Sequence, residues 1–386
     1  MALLDNGSDA PLFPNPGPAR PPARRRRGMR LGSTAIVIAL LALLAMSFLP
    51  SGSVIQQPGP VYDTLGTVPT KDGGELPLIT VAGAETFPTA GTLDLTTVQV
   101  RGNREHMPNW FELVLSWFDP SRAIVPVDAV FPPEQTLEER EEANAVDMIN
   151  SQQEGIAAAL LALGYDIGTQ VRVVSIADAS PSAGRLEVDD VIREVDGEAI
   201  DSNDRLRERI QEGAGAPLRL VVDRGGVQHE VEVTPTWVVD AASPEGSWRL
   251  GVGITHDYDF PIDVTIQLDN VGGPSAGQMF ALGIIDMLTP GELNGGEQVA
   301  GTGTIRADGT IGPIGGIRQK LFGARDAGAE FFLAPVTNCA EVVGHVPDGL
   351  RVIAVDNLDA SLEALAALRG EGDIDALASC ETVLAR

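Results

Sequence analysis

The sequence predicts an α+β fold carried by one N-terminal transmembrane helix, and three observations predict it. An uncharged run at 31–50 follows a cluster of arginines. Between 164 and 237 the pattern breaks into short apolar strands joined by turn dipeptides. On either side of that β-rich unit, strands alternate with apolar segments at helical spacing. The 386 residues leave room for one membrane span and about two globular domains. A hydrophobic fraction of 44% supplies an ordinary core. The net charge of −27 argues against nucleic acid and against docking on anionic lipid, and reads as a solvated acidic exterior.

Taken in order, residues 1–30 form a disordered cytoplasmic tail. Its start is rich in Pro, Gly and Asn, and Arg20, Arg24, Arg25, Arg26, Arg27 and Arg30 follow. Roughly twenty apolar residues span a bilayer, so 31–50 reads as a transmembrane helix, and the arginines place its N-terminal end in the cytoplasm. A cleaved signal peptide is the competing reading; the length of the run and the lack of a small-x-small site before Pro50 favour a retained anchor. Everything after residue 51 is then extracytoplasmic. Residues 51–77, rich in Pro, Gly and Thr, read as a stalk.

Strands are expected at 78–82 and 92–100. The segment 110–118 is amphipathic and aromatic; its rings are expected in the core, with a short helix over lipid headgroups as the alternative. Residues 134–163 turn from acidic to apolar at helical spacing through Met148, Ile149, Ile156, Ala159, Leu160 and Leu163. One or two helices follow from that spacing, stopped by Gly164.

The unit at 164–237 contains a strand at 171–176, then Ser180-Pro181-Ser182-Ala183-Gly184, then Asp189-Asp190-Val191-Ile192. Asp196-Gly197 is a hairpin turn between apolar runs, 204–211 a polar helix, and 218–222 with 229–233 a last strand pair. These residues resemble a PDZ domain, with Asp189 standing where that family usually has Gly. The resemblance implies a peptide groove between the strand near Val171 and the helix 204–211. Val171, Val173, Leu206 and Ile210 would line it, and a bound peptide would add as a strand. A purely structural spacer is the alternative.

The chemistry-bearing stretch lies in 248–370, with 371–386 as a C-terminal tail. Gly272-Gly273-Pro274-Ser275-Ala276-Gly277 opens an apolar helix, and Gly315-Gly316-Ile317-Arg318-Gln319-Lys320 opens another. Lys71 and Lys320 are the only lysines in a chain that otherwise uses arginine. A guanidinium cannot be deprotonated in a protein, whereas an amine can. Serine is inert until a base takes its proton. A free lysine is neutral in about one molecule in 2,500 at pH 7, but apolar burial lowers its pKa by several units. Ile317, Leu321 and Phe322 make such burial plausible for Lys320. The turn at Gly272 and Gly273, leading into a helix N-terminus, offers amides for an oxyanion hole. A triad through His256 in its acidic loop is the rival; His106, His229 and His345 stand in no triad context. Cys339 and Cys380 form either a disulfide or two buried thiols.

Gly273-Pro274-Ser275-Ala276-Gly277, Gly301-Thr302-Gly303-Thr304-Ile305, Gly309, Gly312-Pro313-Ile314-Gly315-Gly316-Ile317 and Lys320 together resemble the proteolytic domain of Lon, a Ser-Lys peptidase. With the PDZ-like unit and the anchor, the chain resembles the membrane-anchored, PDZ-containing Lon-like proteases of Gram-positive bacteria. The resemblance implies Ser275 as nucleophile, Lys320 as general base and Thr302 as support. Lon commonly has Asp three residues before the serine, and Gly272 stands here. The resemblance also makes 78–163 the first part of the protease domain, so that the PDZ-like unit is inserted into it.

The expected function is an extracytoplasmic serine endopeptidase that cuts peptides or unfolded segments. The sequence contains no G-x-x-x-x-G-K-[ST] motif, so no P-loop ATPase module accompanies the protease and neither ATP nor ATP-driven unfolding is expected. No cofactor, metal or nucleic acid is expected either, and the resemblance suggests a homo-oligomeric ring. A non-catalytic, membrane-tethered peptide-binding protein is the alternative.

Overall fold

A computed structural model describes residues 32, 34–41, 44, 51–70, 73–133, 136–177, 180–240, 243–268 and 271–385. Residues 34–41 are helical, and Ile36, Val37, Ile38, Leu40 and Leu41 are exposed. Among the described residues no helix is long and apolar enough to cross a membrane. The tail 1–30 and the rest of the run at 31–50 lie outside the described residues.

The first sheet has six strands, in the order Arg351–Val355, Phe331–Pro335, Gln298–Gly301, Thr92–Arg101, Ser53–Asp63 and Ala123–Pro126. The first four are mutually parallel, with Gln298 opposite Thr92 and Gly301 opposite Leu95. Ser53–Asp63 then pairs antiparallel on both its edges. Phe331–Pro335 reads as a continuous apolar run because both its faces are covered. Leu93, Leu95, Val299 and Leu333 pack with Ile156, Leu160, Met279 and Phe280 of the helices Leu137–Ala162 and Gly277–Leu288. On the opposite face Ala300, Phe332 and Ala334 pack against Ile317, Leu321 and Ala324 of the helix Ile317–Ala327.

Residues 51–77 are not a stalk. Ser53–Asp63 is an interior strand of this sheet, with Val54 and Ile55 buried. Its Pro58-Gly59-Pro60 lies at a register shift between Pro58 and Val61. A bulge tolerates proline inside a sheet, which is why a strand has the composition of a coil here.

The second sheet runs Val227–Val233, Leu218–Arg224, Val191–Val195, Gly168–Ile176 and Val252–Asp259. Asp196 and Gly197 both take positive φ, at 52° and 83°, as a two-residue hairpin turn requires. Asp189, in the position the PDZ family gives to Gly, has φ 73°. The helix Asn203–Glu212, capped by Ser202, closes this unit's core with Leu206 and Ile210.

Two further expectations are corrected. The aromatic helix Trp110–Trp117 buries only Leu113 and Ser116, leaving its rings outside the core. Residues 371–385 are folded rather than a free tail. Ala378 accepts a hydrogen bond from Ala354 N–H at the sheet edge, and the last helix, Cys380–Leu384, is bonded through Cys380 to Cys339.

Candidate active site

The two stretches that the sequence singled out meet. Ser275 stands on the turn before the helix Gly277–Leu288, and Lys320 lies in the first turn of Ile317–Ala327. Lys320 Nζ is 2.7 Å from Ser275 Oγ and 2.8 Å from Thr302 Oγ1. The lysine helix can start this close to the sheet because Gly316 has φ 68°; a Cβ there would lie 2.7 Å from Val98. Lys320 is 2% exposed and Thr302 is fully buried, while Ser275 is half-buried. No carboxylate pairs with Lys320 among the described residues, and burial pushes its amine down from 10.5 to about 7.

The serine turn is fixed from two sides. On one side, the Ser275 carbonyl accepts from Gly303 N–H at 3.0 Å and from the Thr302 hydroxyl at 2.9 Å. On the other, the long helix Leu137–Ala162 supplies Ser151, whose hydroxyl donates to the Pro274 carbonyl at 3.0 Å. Its Asn144 carbonyl accepts from Gly273 N–H at 2.9 Å. The two helices approach closely at Gly155, where a Cβ would sit 2.9 Å from the Gly277 carbonyl oxygen. Glu154 of the same helix accepts from the Tyr258 hydroxyl at 2.7 Å and from Ala307 N–H at 2.6 Å. Sequence reasoning missed Asn144, Ser151 and Glu154. Their contacts are to main-chain groups and a distant tyrosine, and a polar residue on a helix carries no local sign of that.

Gly273 is corrected as an oxyanion donor, because its N–H is already taken by Asn144. Gly272 packs instead against Asn144, where a Cβ would lie 2.7 Å from that side chain's Cβ. The amides of Ser275 and Ala276 meet no acceptor among the described residues. They open the helix Gly277–Leu288, where N–H groups favour an anion. Among the described side chains no histidine bonds to Ser275, and the side chain of His256, on which the rival triad rested, lies outside them.

The predicted peptide groove is displaced. Val171 and Val173 are fully buried, and their strand is paired on both edges, by Val191–Val195 and by Val252–Asp259. A strand without a free edge cannot accept a peptide. On this side of the sheet the edge that is free among the described residues belongs to Val252–Asp259, which pairs with Gly168–Ile176 from Val252 opposite Ile176 to Asp259 opposite Gly168. Between this outer strand and the helix Asn203–Glu212 lies a cavity of about 1000 Å³. Leu206 and Ile210 line it from the helix, as expected, and face Leu250, Val252 and Ile254. The PDZ-like unit therefore runs past residue 237 to 259. The alternation in Val252-Gly253-Ile254 reads as a strand, but its partner lies far back in the chain.

Comparison with known proteins finds both kinds of domain. Residues 262–368 match the C-terminal proteolytic domain of Lon protease (S16), and residues 143–234 match the PDZ domain. The chain is 27% identical over 146 residues to the Lon protease of Campylobacter concisus, covering 37% of this chain and 17% of that one. It is 36% identical over 95 residues to Lon protease 1 of Thermus thermophilus, covering 25% and 12%. The solved PDZ domain of an SdrC-like protein from Listeria innocua is 25% identical, covering 23% of this chain and 96% of that one, with a TM-score of 0.20. The chain thus spans 17% and 12% of the lengths of these two Lon relatives.

Proposed function

We propose that this chain, in which a Lon-type serine peptidase domain is joined to a PDZ domain, is an ATP-independent endopeptidase acting by a Ser275–Lys320 dyad. The observation that carries the reading is the 2.7 Å approach of a buried amine to the serine hydroxyl. With its pKa brought to about 7, Lys320 holds a lone pair in a large fraction of molecules at neutral pH. One of its N–H bonds goes to Thr302, which leaves the lone pair facing Ser275.

In the reaction, Ser275 Oγ attacks the peptide carbonyl as its proton passes to Lys320 Nζ. The amides of Ser275 and Ala276 hold the resulting oxyanion. The C–N bond then breaks, and Lys320 returns the proton to the leaving amine. Water attacks the acyl-enzyme with Lys320 again as base, releasing the carboxyl product and restoring Ser275.

The groove between the outer strand and the helix Asn203–Glu212 binds the peptide by adding it to the free edge of Val252–Asp259. The PDZ unit is an insertion in the protease domain; the pairing of Thr92–Arg101 with Gln298–Gly301 across it supports this. Residues 31–50 anchor the protein, with the N-terminus cytoplasmic and the protease outside. The apolar run, the arginines before it and the Cys339–Cys380 bond, of a kind that persists in oxidising compartments, support that placement.

The test is cleavage of an unfolded casein-like substrate by the full chain. Ser275→Ala and Lys320→Ala are each expected to lower kcat by about a thousandfold or more. Activity surviving Lys320→Ala would sink the dyad.

A further inference from the structure

The helix Trp110–Trp117 exposes an apolar face that no part of the described chain covers. Trp110, Phe111, Val114 and Leu115 are each 38–56% exposed, Trp117 is 81% and Phe118, just past the helix, 85%. Large rings exposed together on a soluble surface mark an interaction site rather than ordinary scatter. The charges around the helix are largely neutralised in pairs: Arg101 with Glu112, Arg104 with Asp128 and Arg122 with Asp119. The face itself is therefore nearly uncharged and suited to an apolar phase with a polar boundary.

Its position says which phase. The apolar run ends at residue 50, and Ser51 donates a hydrogen bond from its hydroxyl to the Pro108 carbonyl at 2.7 Å, two residues before Trp110. One residue on, the Gly52 carbonyl accepts from Val127 N–H at 3.1 Å, and Ser53 pairs with Pro126. The chain thus enters the folded domain between the two ends of the segment that carries the aromatic helix. A bilayer spanned by 31–50 has its surface at that point, and tryptophan is the side chain enriched at that depth.

We propose that the face formed by Trp110, Phe111, Leu115, Trp117 and Phe118 docks into the outer interface of the bilayer, beside the exit of the anchor. The proposal rests on the anchored reading of residues 31–50. Its chemistry is apolar insertion, so zwitterionic lipid suffices. The consequence is a second, lateral attachment that fixes the tilt of the protease against the membrane.

The experiment uses the full chain carrying Trp237→Phe and Trp248→Phe, reconstituted in phosphatidylcholine vesicles. Trp110 and Trp117 then report alone. With lipid brominated near the headgroup end of its acyl chains, their emission is expected to be blue-shifted and to lose most of its intensity. Adding Trp117→Ser and Phe118→Ser, both at exposed positions, is expected to abolish most quenching of Trp110 while leaving cleavage of a short soluble peptide unchanged. Alkaline carbonate washing reads the anchor separately. A chain that stays in the vesicles with unquenched tryptophans overturns the docking and leaves the anchor standing. A chain that washes off overturns the anchor, and the docking with it. Unquenched emission that shifts with protein density on the vesicle assigns the face to a second copy of the chain, and also overturns the proposal.

Discussion

Lys320 sits where a charged ammonium is poorly tolerated, and two measurable effects follow. As the proposed base, Lys320 must be neutral to act, so kcat/KM is expected to rise about tenfold per pH unit below pH 7 and to level off above it. A pH–rate profile flat from 5 to 8 would contradict this. The second effect is on stability. The folded pKa is depressed to about 7 from 10.5, so between those values the unfolded chain binds more protons than the native one. Stability therefore rises with pH across that window, and the penalty of burying the charge is fully present below about 7. Lys320→Met, which keeps the bulk and removes the charge, is expected to be inactive yet to melt higher than wild type at pH 6. The difference should shrink towards pH 10. At this scale Ser275 and Lys320 were legible from the glycine-flanked turns that carry them and from the scarcity of lysine in an arginine-rich chain, and Thr302 only from the resemblance to Lon. Asn144 and Ser151 were not, because support for a backbone turn demands only a nearby carbonyl and a hydroxyl.

Among the elements, the long helix Leu137–Ala162 does the most to place the site. Ile156 and Leu160 bind it to the sheet, and Gly155 lets it approach the serine helix. Asn144 and Ser151 then hold the turn, and Glu154 reaches Tyr258 on the outer strand of the PDZ unit. Ser151→Ala removes one hydrogen bond, worth about 1 kcal/mol of stability. It also frees Pro274, next to the nucleophile. A shift of the order of 1 Å costs up to about a hundredfold in rate, so kcat is expected to fall by about ten- to a hundredfold with KM nearly unchanged. Equal kcat in the variant and wild type would mean that the turn holds itself. The helix was legible from its spacing, and the hairpin at Asp196-Gly197 from its turn residues. The outer strand's membership of the PDZ unit was not, since only long-range pairing with Gly168–Ile176 reveals it.

For the whole molecule, the main sheet is assembled from segments on both sides of the PDZ unit, and its far edge is sealed by the C-terminal segment. Cys339 and Cys380, separated by 41 residues, tie that segment down. Closing a loop of that length contributes up to about 4 kcal/mol by restricting the unfolded chain. Cys380→Ser is expected to lower the unfolding free energy by about 2–4 kcal/mol in denaturant titration while leaving cleavage at 25 °C intact. A loss of activity matching Ser275→Ala would instead place the bond in support of the site. Composition misled most here: Pro58-Gly59-Pro60 suggested a stalk, although a bulged interior strand tolerates the same residues.

The two-sided pinning of Ser275 has a consequence for biosynthesis. Asn144 and Ser151 emerge first, Ser275 and Thr302 follow, and Lys320 comes near the end. During synthesis, the proposed nucleophile Ser275 therefore appears before its proposed base Lys320 does. Thr92–Arg101 must also wait, its edge unpaired, until Gln298–Gly301 arrives, which makes formation of the sheet a late and slow event. A nascent chain of this kind cannot assemble the proposed Ser275–Lys320 pair until Lys320 has been delivered and the sheet that positions it has closed.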